Sequence, residues 1–332
     1  MTSVAIITGC DGQDGSYMSE YLIKIGFNVY GFIRKKSYQS QNLNEVIKSP
    51  KFNIVYLDSS EEIKIQFNIL EIARKYPQSE LYIFNFAAQT DVGYSFEHPN
   101  YTMKTNTEYL ITIIQTVKNF NLKARIYQAS TSEQFGDNCS YLDENTPFTP
   151  VSPYGISKVA AHQIAENSRH YDDIFVACGI LFNHESPRRP SNFVTRKIIE
   201  GVKEFLKSDT PIVLGNIHSS RDWGATEDYI EAIYRIISNN RPDTFVVATG
   251  NSYTVKQFVE QVFKYHNKEI SWSQNDEGYV DNKIAVKTDK MFFRQKDIHK
   301  LTGCPDKIYE TLGWKPKVDN IEKLVEYMHN KN

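Results

Sequence analysis

Val4-Ala-Ile-Ile-Thr-Gly9-Cys-Asp-Gly12-Gln-Asp-Gly15-Ser-Tyr-Met-Ser-Glu-Tyr-Leu-Ile-Lys-Ile25-Gly26 decides how this chain folds. Four apolar residues, Val4 to Ile7, lead through Thr8 into glycine, the pattern of a short buried strand over Val4–Thr8. Apolar residues then recur at helical spacing over Tyr17–Ile25 until Gly26 supplies a C-cap signal. Between strand and helix stand Gly9, Gly12 and Gly15. Glycines there let the backbone turn tightly and approach a pyrophosphate at the helix N-terminus. Three glycines so spaced also occur in ordinary βα turns; their place between the first strand and the first helix selects a dinucleotide site.

Working outward, the next strand is expected over Asn28–Ile33 and ends in Arg34-Lys35-Lys36. A site for NAD places Asp or Glu at that point to take the ribose 2′-hydroxyl. A cation cluster suits a 2′-phosphate instead, so NADP is the expected cofactor; a solvated basic turn is the other reading. Strand-like runs follow at Asn53–Leu57, Leu81–Phe86, Arg125–Ala129 and Ile174–Leu181, with helical patterns at Asn106–Phe120 and Lys158–Tyr171. Strands alternating with helices predict an α/β fold with a parallel sheet. Beyond about residue 183 the alternation weakens and Pro/Arg-rich stretches mark a second lobe.

Composition narrows the function. With Lys+Arg 38 against Asp+Glu 40, the formal charge is −2, which argues against a general nucleic-acid binder. No apolar run approaches the roughly 18 residues of a membrane span. MTSVAIITG has no basic lead, so no signal peptide is expected. Four scattered cysteines, Cys10, Cys139, Cys178 and Cys304, show neither metal-ligand spacing nor a pairing pattern. They fit free thiols in a reducing compartment, and a cytoplasmic protein without a metal site is expected.

Tyr154-Gly-Ile-Ser-Lys158 places a phenol and an ammonium on one helical face. The ammonium is expected to favour the phenolate and lower the Tyr154 pKa toward that of a general base. Tyr-x-x-x-Lys arises readily by chance in a chain with 21 tyrosines, so its weight comes from context. It follows a glycine loop and a strand ending in Ser130-Thr131-Ser132-Glu133. That combination resembles the extended short-chain dehydrogenase/reductases, with a Ser/Thr, Tyr and Lys triad. Glu133 adds a carboxylate with no role in plain hydride transfer. It can remove a proton α to a carbonyl and return it to a departing hydroxyl, which is dehydratase chemistry; a surface acid after a strand is the alternative.

Further on, Asn183-His-Glu-Ser-Pro-Arg-Arg189, Asn192-Phe-Val-Thr-Arg196-Lys197, Leu214-Gly-Asn216, Arg221-Asp-Trp-Gly224 with Asp228-Tyr229, Ala248-Thr-Gly250 and Leu312-Gly-Trp-Lys315 complete a pattern. Over essentially the whole chain it is similar to the GDP-mannose 4,6-dehydratase family. The resemblance implies a Rossmann-type doubly wound parallel sheet with a smaller, discontinuous C-terminal nucleotide-sugar-binding lobe. It divides the chain into 1–182 with 216–247 for NADP, and 183–215 with 248–332 for a GDP-sugar. It implies oxidation at C4, loss of water across C5/C6 and hydride return to C6. Thr131, Ser132, Glu133, Tyr154 and Lys158 are the implied catalytic residues. Gly9, Gly12, Gln13, Asp14, Gly15, Arg34, Asp58, Ala87, Ala88, His184 and Arg189, with Tyr154 and Lys158, are implied around the cofactor. Asn183, Asn192, Val194, Lys197, Gly215, Arg221, Arg294 and Asp297 are implied around the substrate, with Arg188 and Arg196 as further cations for its diphosphate.

Several positions depart from the family pattern. Gln89-Thr-Asp91-Val92 stands for Gln-Ser-His-Val, Pro190-Ser191 for Gly-Ala, and Ser220 and Ala225 for the Lys and His flanking Arg-Asp-Trp-Gly. They leave the hexose open among GDP-mannose, the default, GDP-N-acetylglucosamine and GDP-manno-heptose. Asn42 stands where the family has an Arg that reaches a neighbouring subunit's cofactor. A homodimer through a four-helix bundle is therefore expected, with a homotetramer as the larger alternative. The rival functions are a nucleotide-sugar epimerase or reductase and a non-catalytic NADP-binding regulator.

Overall fold

Hydrophobic runs of strand length, buried on both faces, build the centre of the molecule. A computed structural model describes residues 3–34, 41–57, 61–138, 141–293, 296 and 298–330. The first half alternates β1 (Val4–Thr8), α1 (Gln13–Lys24), β2 (Asn28–Ile33), β3 (Phe52–Tyr56), α2 (Glu62–Lys75) and β4 (Leu81–Asn85). It continues through α3 (Val92–Glu97), α4 (Pro99–Asn119), β5 (Ala124–Thr131), β6 (Tyr141–Leu142), α5 (Pro153–Tyr171) and β7 (Val176–Leu181). Next come β8 (Asn183–Glu185), α6 (Val194–Ser208), β9 (Ile212–Leu214), β10 (Ser220–Ala225), α7 (Thr226–Ile237) and β11 (Thr244–Val247). The last part holds β12 (Ser252–Thr254), α8 (Val255–Tyr265), β13 (Ser271–Trp272), β14 (Gly278–Val280), β15 (Lys283–Thr288), β16 (Thr302–Gly303), α9 (Asp306–Leu312) and α10 (Ile321–Asn330).

Seven strands form one parallel sheet in the order β11-β7-β5-β4-β1-β2-β3. The chain starts in the middle at β1, winds out to β3 and crosses back to β4 on β1's other side. That reversal opens a crevice at the carboxyl ends of β1 and β4, the place where doubly wound sheets bind ligands. One face is covered by α1 and α7, packing Met18, Leu22, Ile233 and Ile236 on Ala5, Ile7 and Val247. The other is covered by α2, α4 and α5, packing Ile69, Leu110, Ile113 and Ala165 on Ile6, Ile83 and Ile126. Helix α4 starts earlier than its apolar spacing predicts, at Pro99, because its first turn is largely exposed and carries no periodicity.

A second core joins α6, α8 and α10 to β9, β10 and β15 around Ile199, Val202, Trp223, Phe258 and Leu324. Two further stretches join these cores. Residues 217–225 contribute Ile217, Trp223 and Ala225 to this second core, and β10 pairs with β8 and β12. Ile308 and Trp314 return to the core under α7. Pairing and burial here follow neighbours in space and not order along the chain. Among the described residues no helix is long and apolar enough to cross a membrane.

Candidate active site

The glycine loop sits at the mouth of the crevice. Gly9 takes φ +64°, and a Cβ on Gly15 would lie 2.4 Å from the Gly9 carbonyl oxygen, so the first turn of α1 lies directly against the loop. Asn42 donates to the Asp11 carbonyl at 3.0 Å and so braces its own loop. Arg34 is exposed at the end of β2; Lys35, Lys36, Asp58, Arg294 and Asp297 lie outside the described residues. Ala87 N–H donates to Thr8 Oγ1 at 3.0 Å, which carries the chain past β4 beside the loop, and Ala88 follows it.

Three side chains expected around a cofactor meet one another at a junction between α1 and β8. The Gln13 amide donates to the His184 carbonyl (3.0 Å) and accepts from Ser186 Oγ (2.7 Å). His184 donates from Nδ1 to the Phe182 carbonyl (2.8 Å) and from Nε2 to Asp14 (2.9 Å), and stacks on Tyr229 at 4.7 Å. Two acceptors on two ring nitrogens require the imidazolium. Burial alone would raise the Asp14 carboxyl, but the His184 charge and hydrogen bonds outweigh it and hold it near 2. Burial likewise opposes the His184 charge, yet Asp14 wins and the His184 pKa is raised. The fold thus ties α1 to β8 here, across about 170 residues of sequence.

The reacting groups gather where β5 ends. Thr131 opens a 3₁₀ turn, Ser132–Phe135, as a capping box: its N–H donates to Gln134 Oε1 (3.0 Å) and its hydroxyl accepts from Glu133 N–H (3.3 Å). Ser132 is fully buried within the turn. Ser152 caps α5 through Gly155 N–H at 3.0 Å, so Tyr154 falls in the first helical turn. A Cβ on Gly155 would meet the Glu133 carbonyl at 2.9 Å; glycine is what lets the two turns touch. Tyr154 is buried beside the Thr131 hydroxyl and feels the charges of Glu133 and Arg189.

The electrostatics correct one expectation. Burial drives the Tyr154 phenol up to about 12, the Thr131 hydrogen bond and Arg189 draw it down, and Glu133 pushes it up. Lys158 is not among the groups that act on it most strongly. The Lys158 ammonium is buried, donates to the Ala129 carbonyl at 2.8 Å, and is itself pulled down to about 8 by burial. Asn106 is a residue that sequence reasoning missed. Its amide holds Gln89 N–H (2.7 Å) and C=O (3.1 Å) and donates to Ser157 Oγ (2.8 Å), joining the loop after β4 to the catalytic helix. An Asn inside a helical pattern carried no signal of that.

The expected substrate residues are divided. Arg188 is occupied by Glu20 and Ser16 and lies over the Tyr17 ring at 4.1 Å, and Arg196 pairs with Glu200 at 2.6 Å. Arg189 faces Glu185 (3.2 Å) and the Phe193 ring (3.9 Å). Arg221 is buried and donates to the Ser220 and Ile298 carbonyls at 2.9 and 2.8 Å. Lys197 differs: half-buried over the Phe292 ring at 3.9 Å, it has no carboxylate partner among the described residues, and burial lowers its pKa. Val194 opens α6 one turn before it, Asn183 opens β8, and a Cβ on Gly215 would strike the Phe292 carbonyl at 2.5 Å. Asn192 donates to Asp91 Oδ2 at 3.3 Å, while Asp91 Oδ1 caps α3 through Tyr94 N–H.

Residues 6–328 match the model of the GDP-mannose 4,6 dehydratase family. The chain belongs to that family. It is 38% identical over 337 residues to GDP-mannose 4,6 dehydratase 1 of Arabidopsis thaliana, covering 98% of this chain and 88% of the other. The human GDP-mannose 4,6 dehydratase is 36% identical, with coverages of 98% and 91%. In fold it is similar to a solved dTDP-glucose 4,6-dehydratase from Bacillus anthracis, in complex with NAD, at a TM-score of 0.78, 20% identity and coverages of 100% and 97%.

Placed in the structure, the motifs that carry the resemblance to GDP-mannose 4,6-dehydratases prove largely to be fasteners. Asp222, of Arg-Asp-Trp-Gly, is fully buried and accepts from Thr249 N–H (2.9 Å), Thr249 Oγ1 (2.6 Å) and Gly250 N–H (2.9 Å). Burial raises its carboxyl to about 6 despite those bonds. Asp228 accepts from Lys317 and Val318 N–H at 2.9 and 2.8 Å, and its carbonyl takes Trp314 Nε1–H at 3.0 Å. Tyr229, stacked on His184, meets the edge of Trp314 at 6.2 Å. These family motifs therefore read out one contiguous piece of packing.

Proposed function

We propose that this member of the family is an NADP-dependent GDP-sugar 4,6-dehydratase, with GDP-mannose as the default substrate. The observation that carries the reading is the meeting of Thr131, Glu133 and Tyr154 at the junction of β5 and α5, with a carboxylate that hydride transfer alone does not need. The glycine loop suits a dinucleotide: a side chain at Gly9 or Gly15 would strike the chain's own backbone, so glycine there keeps the turn tight against the start of α1, where a pyrophosphate is received. Gly12 and the α1 N-terminus complete that cradle, and Arg34 would favour the 2′-phosphate of NADP over NAD. When bound, the nicotinamide supplies a reversible hydride acceptor.

The chain's own groups do the rest. Tyr154 receives the C4 hydroxyl proton, and the Thr131 hydroxyl holds that oxygen as it becomes a ketone. The ketone acidifies the hydrogen on C5. Glu133 takes that proton and delivers it to the C6 hydroxyl, which leaves as water. Lys158, with donors beyond the one given to the Ala129 carbonyl, would hold the nicotinamide ribose. Lys197 and Arg221 face the diphosphate, where charge-assisted hydrogen bonds are worth most. The exposed residues Met103 of α4 and Ile156 of α5 suit a homodimer in which these helices pair with those of a second copy.

The test incubates the protein separately with GDP-mannose, GDP-N-acetylglucosamine and GDP-manno-heptose and follows nucleotide-sugar mass. A product lighter by one water supports the reading. A product of unchanged mass indicates an epimerase, and no turnover of any of the three restores a non-catalytic role.

A further inference from the structure

The upper edge of the central sheet contains a polar row that the reaction above does not use. Thr8, Asn85 and Gln128 are direct register partners on β1, β4 and β5, so their side chains share one face of the sheet. The layer beneath, Ile6, Ile83, Ile126 and Val176, is wholly apolar and packs on α2, α4 and α5. In the row above, Thr8 is 0% exposed and Asn85 and Gln128 are each 2% exposed. Burying three polar side chains is costly unless each is bonded, and here each is. Thr8 Oγ1 donates to Asn85 Oδ1 (2.8 Å), Asn85 Nδ2 to Gln128 Oε1 (2.7 Å), and Gln128 Nε2 to the Ala129 carbonyl (2.9 Å).

That carbonyl is the acceptor of the Lys158 ammonium, at 2.8 Å. Ala129 lies one residue past the last β4–β5 pair, Asn85 with Gln128, at the point where β4 ends and β5 runs on to Thr131. A carbonyl oxygen has two lone pairs. The Gln128 amide takes one, which leaves the other to the ammonium and fixes the direction from which it is approached.

We propose that Gln128, backed by Asn85 and Thr8, is a positioning residue that sets Lys158 at the catalytic turn. The inference rests on the reading of Lys158 as part of the reactive group. An apolar row would have served the sheet as well as the layer beneath it does. What the polar row adds is a rigid link from the strand that begins the glycine loop, across two strands, to the ammonium one helical turn below Tyr154. Besides Lys158 itself, Asp14 and Cys178 are the titratable groups that act on this ammonium.

Two variants of the full chain test it. Gln128→Glu keeps an acceptor for Asn85 and puts a carboxylate beside the ammonium. Asn85→Leu/Gln128→Leu removes both partners of the central bond together, so neither is left stranded. Lysine side chains labelled with ¹³C are titrated by NMR, with the Lys158 signal identified from its loss in Lys158→Arg. In Gln128→Glu the Lys158 pKa is expected to rise by about one unit or more, and the pH–rate profile to move with it. In the double variant kcat is expected to fall roughly ten- to hundredfold, with KM for the GDP-sugar unchanged. An unchanged Lys158 titration in Gln128→Glu, or wild-type kcat in the folded double variant, would overturn the proposal. If the wild type turns over no GDP-sugar, the proposed function fails, while the lysine titration still decides the role of Gln128.

Discussion

Tyr154 shows how far a local motif can be trusted. The spacing to Lys158 put both side chains on one face of one helix, which is buried, yet the ammonium donates to the Ala129 carbonyl and the phenol stands at about 12. The groups that tune it, Thr131, Glu133 and Arg189, come from a strand end, a 3₁₀ turn and a distant loop. Glu133→Gln removes a negative charge beside the phenol, so the Tyr154 pKa should fall and the alkaline rise of C4 oxidation should shift to lower pH. The same variant should oxidise C4 slowly yet lose no water, checked by trapping the keto-sugar and by mass. Tyr154→Phe should abolish both steps while calorimetry still detects GDP-sugar binding. At Asp14 the sign of the pH effect is determined by its carboxyl near 2 against an ordinary 3.8. Its stabilisation is complete above pH 3.8 and is lost as the pH falls through about 2. Seen from His184, whose pKa is raised, the same stabilisation is present below 6.5 and lost as the pH rises through the raised value. Asp14→Asn should cost about 2 kcal/mol at pH 6, measured by denaturant unfolding, with the difference from wild type shrinking at both extremes.

At the scale of elements, β1, β2 and α1 were legible because each carries its own period and its own stop. Strand β10 was not. Its sequence, Ser220 to Ala225, mixes charge, Trp and Gly, and its partners β8 and β12 lie about thirty or more residues away on either side. Helix α7 is held from outside in the same way, by Asp228 receiving two backbone N–H groups from the 317–318 segment. Asp228→Ala should therefore destabilise by about 1–2 kcal/mol, since two part-buried backbone donors lose their acceptor. Trp314, whose indole reports on that contact, provides the signal: its fluorescence transition should move to lower denaturant in step with the global one.

Over the whole molecule, a formal charge of −2 conceals local cations on which the proposed function draws, among them Arg34, exposed at the end of β2, and Lys197, half-buried over the Phe292 ring. Calorimetry on the purified protein should give a lower Kd for NADP than for NAD, and Arg34→Glu should reverse the order. Two arginines that looked like phosphate ligands already have carboxylate partners in the fold. Arg188 clamps α1, and Arg196 closes a salt bridge along its own helix. One cation in a sequence looks like another, and only its neighbours decide whether it is available.

The sequence by itself determined the parallel α/β architecture, the glycine loop and the family, because each is written in short-range spacing or in contiguous motifs. Tertiary structure alone decided which partners the named side chains meet. It turned Gln13, His184 and Asp14 into a junction between α1 and β8, and Asp222 and Asp228 into anchors. It also set Thr8, Asn85 and Gln128 in one row beneath Lys158. The reason is that hydrogen bonds and burial are settled between neighbours in space, and these partners stand between 27 and 173 residues apart or in strict register across strands.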